Sequence, residues 1–99
     1  MDLFWTWGGT YFGFRQADSL LTYSGKEAGR FHGREMYASD GRYLGEVNST
    51  DRLITNISKK SRKHGPFFPR RSGPYPPHID HVGHVMNPGY EDFPNSNSF

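Results

Sequence analysis

Large apolar and aromatic side chains return at a fixed interval of 16 residues over the first two-thirds of the chain. One column of this repeat holds Trp5, Leu21, Tyr37 and Leu53, and the column before it holds Phe4, Leu20, Met36, Arg52 and Phe68. The residues between the columns are mostly polar or glycine. A fixed period is typical of tandem copies of one structural unit, so the pattern predicts four copies of a single element.

Each of the first three repeats also carries a glycine-containing dipeptide typical of a tight turn, and a second glycine follows four residues after the glycine that ends the dipeptide. The dipeptides are Gly8-Gly9, Ser24-Gly25, Asp40-Gly41 and, without glycine, Asn56-Ile57, and the later column is Gly13, Gly29, Gly45 and Ser61. The dipeptides predict two-residue hairpin turns with positive φ at both residues. The second strands would then cover residues 10–15, 26–31, 42–47 and 58–63, joined by short polar loops. A glycine repeated inside these strands indicates a close backbone approach or a β-bulge.

These elements predict an all-β fold without a long helix, because no window shows sustained apolar spacing of 3.6 residues. One hairpin cannot bury its own apolar face, whereas four in tandem can close around a shared core. We therefore expect four tandem 16-residue β-hairpins closed into a small, shallow, pseudo-four-fold barrel. All seven prolines lie from Pro66 onward, which divides the chain into a repeat domain, residues 1–65, and an irregular Pro-rich tail, residues 66–99.

The repeated unit, in which an apolar residue and tyrosine precede Gly-Lys/Arg-x-x-Gly, resembles that of the small bacterial four-fold β-flower proteins. It is seen at residues 21–29 and 36–45. The resemblance covers about the first two-thirds of the chain and implies a shallow barrel of four hairpins, without implying an activity. The fourth repeat departs from the pattern because Ile57 and Ser61 replace its glycines.

The composition excludes a few classes of protein, namely disulfide-rich domains, domains with cysteine-ligated zinc and proteins with a membrane helix in this sequence. The chain has 99 residues, enough for one small domain, and no cysteine, so it has neither a disulfide framework nor a cysteine-ligated zinc. It has no apolar run of the roughly 20 residues that a membrane helix needs. The residues at its start lack the features of a secretory signal, so the cytoplasm is the expected location.

Aromatic residues are the first candidates for a binding site. They make up 16% of the chain, and eight rings of the repeats could line a cavity, namely Trp5, Trp7, Tyr11, Phe12, Tyr23, Phe31, Tyr37 and Tyr43. The pocket candidates among them are Trp5, Trp7, Tyr23, Tyr37 and Tyr43. Rings around a shared axis could line a pocket for a small or apolar ligand. The alternative is that they fill the core, as side chains usually do in small barrels.

A cluster of four basic residues is the second candidate. It consists of Lys59, Lys60, Arg62 and Lys63 and accounts for the net charge of +2, since the first 58 residues are nearly balanced. Such a cluster could bind a polyanion, either a nucleic acid or an anionic membrane surface. The alternative is a solvated strand end.

Three histidines spaced by three residues, His78, His81 and His84, are the third candidate, for a metal site. Pro76, Pro77 and Gly83 argue against the helical turn that would align them. The alternative is a tail in which the imidazoles have no common ligand.

The segment 89–94 combines Tyr90 and Phe93 with two acidic residues, Glu91 and Asp92. One hypothesis is that it docks on the repeat domain, with the rings as apolar anchors and the acids facing lysine or arginine. The alternative is a disordered acidic terminus.

Motifs for catalysis are missing from the sequence. It has no cysteine nucleophile, no Gly-x-Ser-x-Gly elbow and no phosphate-binding loop. We therefore expect a non-enzymatic binding or structural module without a cofactor.

Overall fold

Within residues 2–99, which the computed structural model describes, the chain forms eight β-strands and two short 3-10 helices. The strands are β1 (Leu3–Thr6), β2 (Tyr11–Gln16), β3 (Ser19–Thr22), β4 (Glu27–His32), β5 (Glu35–Tyr37), β6 (Tyr43–Asn48), β7 (Arg52–Asn56) and β8 (Tyr90–Asp92). The 3-10 helices are Ile57–Lys59 and Ser96–Ser98. In this part of the chain, no helix is long and apolar enough to span a membrane.

Strands β1 to β7 form a closed barrel. Consecutive strands pair antiparallel, and β1 pairs parallel with β7 to complete the ring. The closing contacts are backbone hydrogen bonds of 2.9 Å from Trp5 N to Asp51 O and from Trp7 N to Leu53 O. Strand β8 then adds antiparallel to the end of β7, with Thr55 opposite Glu91. The prediction of an all-β small barrel is therefore confirmed.

The turns of the first three hairpins differ from the predicted two-residue form. In the first hairpin, Gly9 N donates to Thr6 O at 2.9 Å and Thr6 N donates to Thr10 O at 2.8 Å, which encloses a three-residue loop. The same bonds recur around Gly25 and Gly41. Only the final glycine of each loop has positive φ, between 90° and 96°, so the prediction of two such residues was wrong. A three-residue loop ending in a left-handed glycine is another common hairpin connection.

Six residues of the core recur every eight positions, two from each of the first three hairpins: Phe4, Phe12, Leu20, Ala28, Met36 and Leu44. Phe31 and Ala38 join them, and the fourth hairpin adds Leu53 and Phe93. In the second strand of each of the first three hairpins, the core residue is the extra residue of a β-bulge, because the pairing register skips it. The bulge thus turns an additional side chain inward in each of these three hairpins.

A single extra residue in the last connection shifts the fourth repeat. The first two connections between hairpins contain two residues each, but β6 and β7 are joined by three, residues 49–51. Phe31 is paired with Met36, and the equivalent Val47 is paired with Leu53 instead of Arg52. Leu53 therefore enters the core, which explains why Arg52 interrupts an otherwise apolar column.

The mid-strand glycines are required by a close approach of two strands, as predicted. A Cβ atom on Gly29 would lie 2.7 Å from Tyr37 O, and one on Gly45 would lie 2.6 Å from Ile54 O. Because real Cβ atoms essentially never come this close to another atom, a larger residue would push neighbouring strands apart.

The fourth hairpin takes its second strand from the far end of the chain. Residues 58–63, predicted as that strand, instead continue from the 3-10 helix Ile57–Lys59 into a turn, so that prediction was wrong. Strand β8 occupies the place beside β7, and the following Phe93 is 3% exposed and lies in the core. Residues 57–89, which connect β7 to β8, are called the strap below.

Candidate functional site

The strap runs across the turns of the first three hairpins in reverse order. At each turn a strap amide donates to the oxygen of the left-handed glycine. These bonds are His64 N to Gly41 O (2.9 Å), Ser72 N to Gly25 O (2.9 Å) and His81 N to Gly9 O (2.8 Å). The strap is therefore fixed to the barrel by backbone contacts that follow the repeat of the barrel itself.

A second amide, three residues further along the strap, bonds to the first residue of each turn loop. These bonds are Phe67 N to Ser39 O (2.9 Å), Tyr75 N to Tyr23 O (2.9 Å) and His84 N to Trp7 O (3.0 Å). Two of these contact segments are similar in sequence, residues 64–67 (His-Gly-Pro-Phe) and 72–75 (Ser-Gly-Pro-Tyr), and lie eight residues apart. The strap thus carries an eight-residue repeat of its own, the same spacing that separates the core residues of the first three hairpins.

The tryptophans predicted to line an axial pocket lie under the strap instead. Trp5 Nε1 donates to Ile79 O at 2.9 Å, and Trp7 Nε1 donates to Val85 O at 3.0 Å. The Trp5 ring also stacks on His81, with ring centroids 3.7 Å apart. Neither ring belongs to the central core cluster.

Tyr37 and Tyr43 belong to a network of charged groups that holds the start of the strap. Tyr37 Oη donates to Glu35 and Tyr43 Oη donates to Glu46, both at 2.9 Å. Lys59 Nζ lies 2.9 Å from Glu35 Oε2 and 2.8 Å from Glu46 Oε1. The two tyrosines therefore position carboxylates for a lysine of the same chain.

The ion pairs and the burial of this network shift the pKa values of Glu35, Lys59 and Tyr43 from their ordinary values. The hydrogen bond from Lys59 is the main cause that lowers the pKa of Glu35. The carboxylates of Glu46 and Glu35 raise the pKa of Lys59, and burial raises the pKa of Tyr43. Each shift favours the charged pair and the neutral phenol, so the network is a stable structural contact near neutral pH.

Most of the predicted basic cluster is neutralised within the chain. Besides Lys59, Arg62 pairs with Glu35 at 2.8 Å and Lys60 pairs with Glu91 of β8. Within residues 2–99, Lys63 is the one member without an ion pair to a carboxylate. The cluster thus serves mainly to join the strap and β8 to the barrel.

The three predicted metal ligands face three different rings of the first hairpin. His78 lies against Tyr11 at 5.2 Å, His81 stacks on Trp5, and His84 lies 4.7 Å from Trp7. In the part of the chain that the structure describes, no group of three or more His, Cys, Asp or Glu residues could hold a metal ion.

Two carboxylates absent from the predicted site also hold the C-terminal region. Glu27, a buried residue, accepts from Ser19 Oγ at 2.6 Å and from Arg70 N at 2.6 Å. Asp92 accepts from Trp7 N at 2.9 Å and from Gly8 N at 3.1 Å, at the turn of the first hairpin. Docking of residues 89–94 was a hypothesis from the sequence, in which the acids would face lysine or arginine; Glu91 does pair with Lys60, whereas Asp92 binds backbone amides instead. The contact from Arg70 N to Glu27 joins residues 43 positions apart, so no local pattern indicated it.

Two adjoining cavities lie where the strap passes between the first and second hairpins, and together we call them the tyrosine cleft. The first has a volume of about 430 Å³ and an almost wholly apolar lining of Tyr23, Ser24, Pro74, Tyr75, Pro76 and Pro77. The second, of about 230 Å³, has more polar walls that include Thr10, Tyr11, His78, Asp80 and Asn95. Tyr23 and Pro77 line both cavities.

Of the five predicted pocket residues, Tyr23 alone lines the tyrosine cleft. Tyr11, which also lines it, belongs to the wider set of eight rings considered for a pocket, whereas Tyr75 is missing from that prediction. The signal that could have found Tyr75 is the eight-residue repeat in the strap, which places Tyr75 beside the turn at Tyr23.

Comparisons with protein-family models, curated proteins and solved structures returned no match.

Proposed function

We propose that the protein is a non-enzymatic binding module that holds a small, mainly apolar ligand in the tyrosine cleft. The observation that carries this proposal is the apolar cavity of about 430 Å³ formed by Tyr23, Tyr75 and three prolines. Ligand pockets are typically concave, largely apolar and within this range of volume. The resemblance of the repeats to β-flower proteins is compatible with such a role, and membership of that family is part of the proposal.

The tyrosine cleft is a better candidate than the barrel centre. Side chains from all four hairpins fill the interior, and four of them, Phe4, Phe12, Leu53 and Phe93, are each no more than 4% exposed. A ligand at the centre would have to displace this packing, which proteins maintain at nearly crystalline density. A site on the outer surface requires no such rearrangement.

The surroundings of the acidic residues support a role without catalysis. Glu27, Glu35 and Glu46 each accept hydrogen bonds from residues of the same chain. A catalytic carboxylate needs room for a substrate within hydrogen-bond reach, and these oxygens already have internal partners. Binding of a polyanion by the basic cluster is the less favoured candidate for the same reason, because Lys59, Lys60 and Arg62 are paired with glutamates. A cytoplasmic location stays a prediction from the sequence.

Toluene is a suitable probe because its single ring fits the apolar cavity. It is uncharged, so it should not bind to the basic cluster. We expect titration to shift the backbone amide resonances of Tyr23, Ser24 and Tyr75 in the nuclear magnetic resonance spectrum. The Tyr75→Ala variant should weaken toluene binding about fivefold or more, since it removes one aromatic wall while leaving the Tyr75 N to Tyr23 O bond in place.

The matched control is Phe68→Ala, which removes a strap ring that is 93% exposed and lies outside the tyrosine cleft. Phe68→Ala should leave toluene affinity unchanged. Absence of saturable binding, or shifts confined to residues remote from the cleft, would overturn the proposal.

A further inference from the structure

Asp80, in the strap, carries an exposed carboxylate that has no cationic partner among residues 2–99. Most other acidic side chains in this range pair with a lysine or arginine, as Glu35 does with Lys59. The Tyr11 backbone amide donates to Asp80 Oδ1 at 2.9 Å, which fixes the carboxylate against the barrel. Its second oxygen, Oδ2, can therefore accept a hydrogen bond from another molecule.

This carboxylate is also the one charged group of the tyrosine cleft. Among the residues that line the two cavities, Asp80 is the only aspartate, glutamate, lysine or arginine. It lines the polar cavity of about 230 Å³ together with Thr10 and Ser96, whose hydroxyl oxygens can also accept hydrogen bonds. The polar cavity thus presents a negative charge and acceptor groups, which suit a cation and repel an anion.

The polar cavity continues into the apolar one through Tyr23 and Pro77, which line both. The apolar cavity of about 430 Å³ adds the side chain of Tyr75, which is 39% exposed. Tyrosine rings bind apolar groups and also attract a cation that lies over the ring face. A ligand that extends across both cavities would contact apolar walls at one end and a carboxylate at the other.

We infer that the ligand of the tyrosine cleft is an organic ammonium ion, with an apolar or aromatic body beside Tyr23 and Tyr75 and its amine paired with Asp80. This inference rests on the proposed function and specifies the chemical class of its ligand. A protonated amine can donate a charge-assisted hydrogen bond to Asp80 Oδ2, which is stronger than a bond between neutral groups. Because Asp80 is exposed, the amine keeps part of its hydration and its desolvation costs little.

Benzylamine and benzyl alcohol test the inference because they share a benzyl group and differ in an amine replacing a hydroxyl group. Benzylamine carries a positive charge at pH 7, as alkyl amines do. The affinity of each probe for the full chain is measured by titration of the amide resonances, in the wild type and in Asp80→Asn. We expect the ratio of the benzyl alcohol Kd to the benzylamine Kd to fall about three- to tenfold in Asp80→Asn.

The matched control is Asp2→Asn, which changes the net charge equally at an exposed residue that lines neither cavity. Asp2→Asn should leave the ratio unchanged within about twofold. The side-chain carbonyl of an asparagine at position 80 can still accept from the Tyr11 amide, so Asp80→Asn should also leave benzyl alcohol affinity within about twofold.

A second measurement needs no variant, because salt screens an ion pair at an exposed carboxylate. Raising the ionic strength from about 0.01 M to about 1 M should weaken the binding of benzylamine to the wild type and leave that of benzyl alcohol nearly constant. Equal salt dependence of the two probes would contradict a contact between the amine and Asp80.

The outcomes separate the inference from the proposed function. If both probes bind in the tyrosine cleft and Asp80→Asn does not change the ratio of their Kd values, the ammonium contact is wrong and the binding module stands. The same conclusion follows if benzylamine shifts only resonances remote from the cleft while toluene binds within it. If toluene and both benzyl probes fail to bind, the proposed function fails and the inference fails with it.

Discussion

Two separate constraints exclude a side chain at the glycines that end the hairpin turns: the backbone conformation and the space beside the strap. Gly9, Gly25 and Gly41 have φ between 90° and 96°, and a Cβ atom on any of them would collide with a carbonyl oxygen of the strap. The first constraint comes from the hairpin alone, and the second arises only because the tail packs against the turn. The repetition of glycine in the sequence therefore reflects both a local turn and a contact with strap residues 23 to 72 positions away.

Substitutions at three glycines can separate these two constraints. Gly25→Ala would place a side chain at a positive φ and against the strap. Gly33→Ala has only the unfavourable φ of 64°, with open space around it, and Gly73→Ala has neither problem. We expect Gly33→Ala to lower the free energy of unfolding by about 1–2 kcal/mol and Gly73→Ala to change it by less than about 0.5 kcal/mol. Gly25→Ala should cost clearly more than Gly33→Ala, because the Ser72 carbonyl must move. Urea unfolding gives the three values, and equal losses at Gly25 and Gly33 would show that the strap contributes nothing there.

At the scale of elements, short-range signals predicted the first three hairpins and failed for the fourth. Each of the three lies within 16 residues, so the apolar columns and turn glycines could specify its strands and connections. The exact turn form was not predictable in the same way, since a dipeptide such as Ser24-Gly25 fits both a two-residue and a three-residue loop. Nothing local marks residues 58–63 as non-strand except the missing glycines at 57 and 61.

The ion-pair network of Lys59 makes the attachment of the strap dependent on pH. Glu35 has a lowered pKa, so its contribution is present above its ordinary value of 4.5 and is lost as pH falls below it. Lys59 has a raised pKa, so its contribution is present below 10.5 and is lost as pH rises through the higher folded value. The network therefore stabilises the fold most between these two limits.

We expect Lys59→Met to lower the free energy of unfolding by about 1–2 kcal/mol at pH 7. The difference from the wild type should shrink steadily below pH 4.5, because the acids of the wild type then lose their charge as well. Lys63→Met is the control, since Lys63 has no ion pair to a carboxylate among the described residues. Chemical denaturation at several pH values measures both variants, and a difference that stays constant down to pH 3 would contradict the linkage.

For the whole molecule, attachment of the strap and β8 to the barrel depends on contacts between residues far apart in the sequence. Strand β8 joins β7 across a 33-residue strap, Asp92 caps the turn of the first hairpin, and the tyrosine cleft combines Tyr11 with Tyr75. Sequence periodicity cannot specify such pairings, because the residues lie in different repeats and share no local pattern. The acidic and aromatic composition of residues 89–94 suggested docking, but the strand pairing of β8 and the position of the tyrosine cleft needed coordinates.

Phe93 offers a direct test of whether the C-terminal segment is part of the same cooperative fold as the barrel. Its ring lies in the core, 5.3 Å from Phe12 and 6.4 Å from Phe99 by ring centroids. Phe93→Ala should lower the free energy of unfolding by about 3–5 kcal/mol, which is a large part of the 5–15 kcal/mol typical of a domain. Phe68→Ala, at a ring that is 93% exposed, should change it by less than about 0.5 kcal/mol.

Whether the strap, β8 and the barrel unfold together can be measured by following the unfolding of Phe93→Ala with two signals. Far-ultraviolet circular dichroism reports the β-strands, and tryptophan fluorescence reports Trp5 and Trp7, which donate to strap carbonyls at 2.9 and 3.0 Å. If strap, β8 and barrel form one unit, the two transitions coincide and both move to lower denaturant. A variant whose fluorescence changes first, while the dichroism transition keeps its wild-type midpoint, would show that the barrel folds independently of the strap. In that case the fourth hairpin would not need β8, and the tyrosine cleft would open without unfolding of the core.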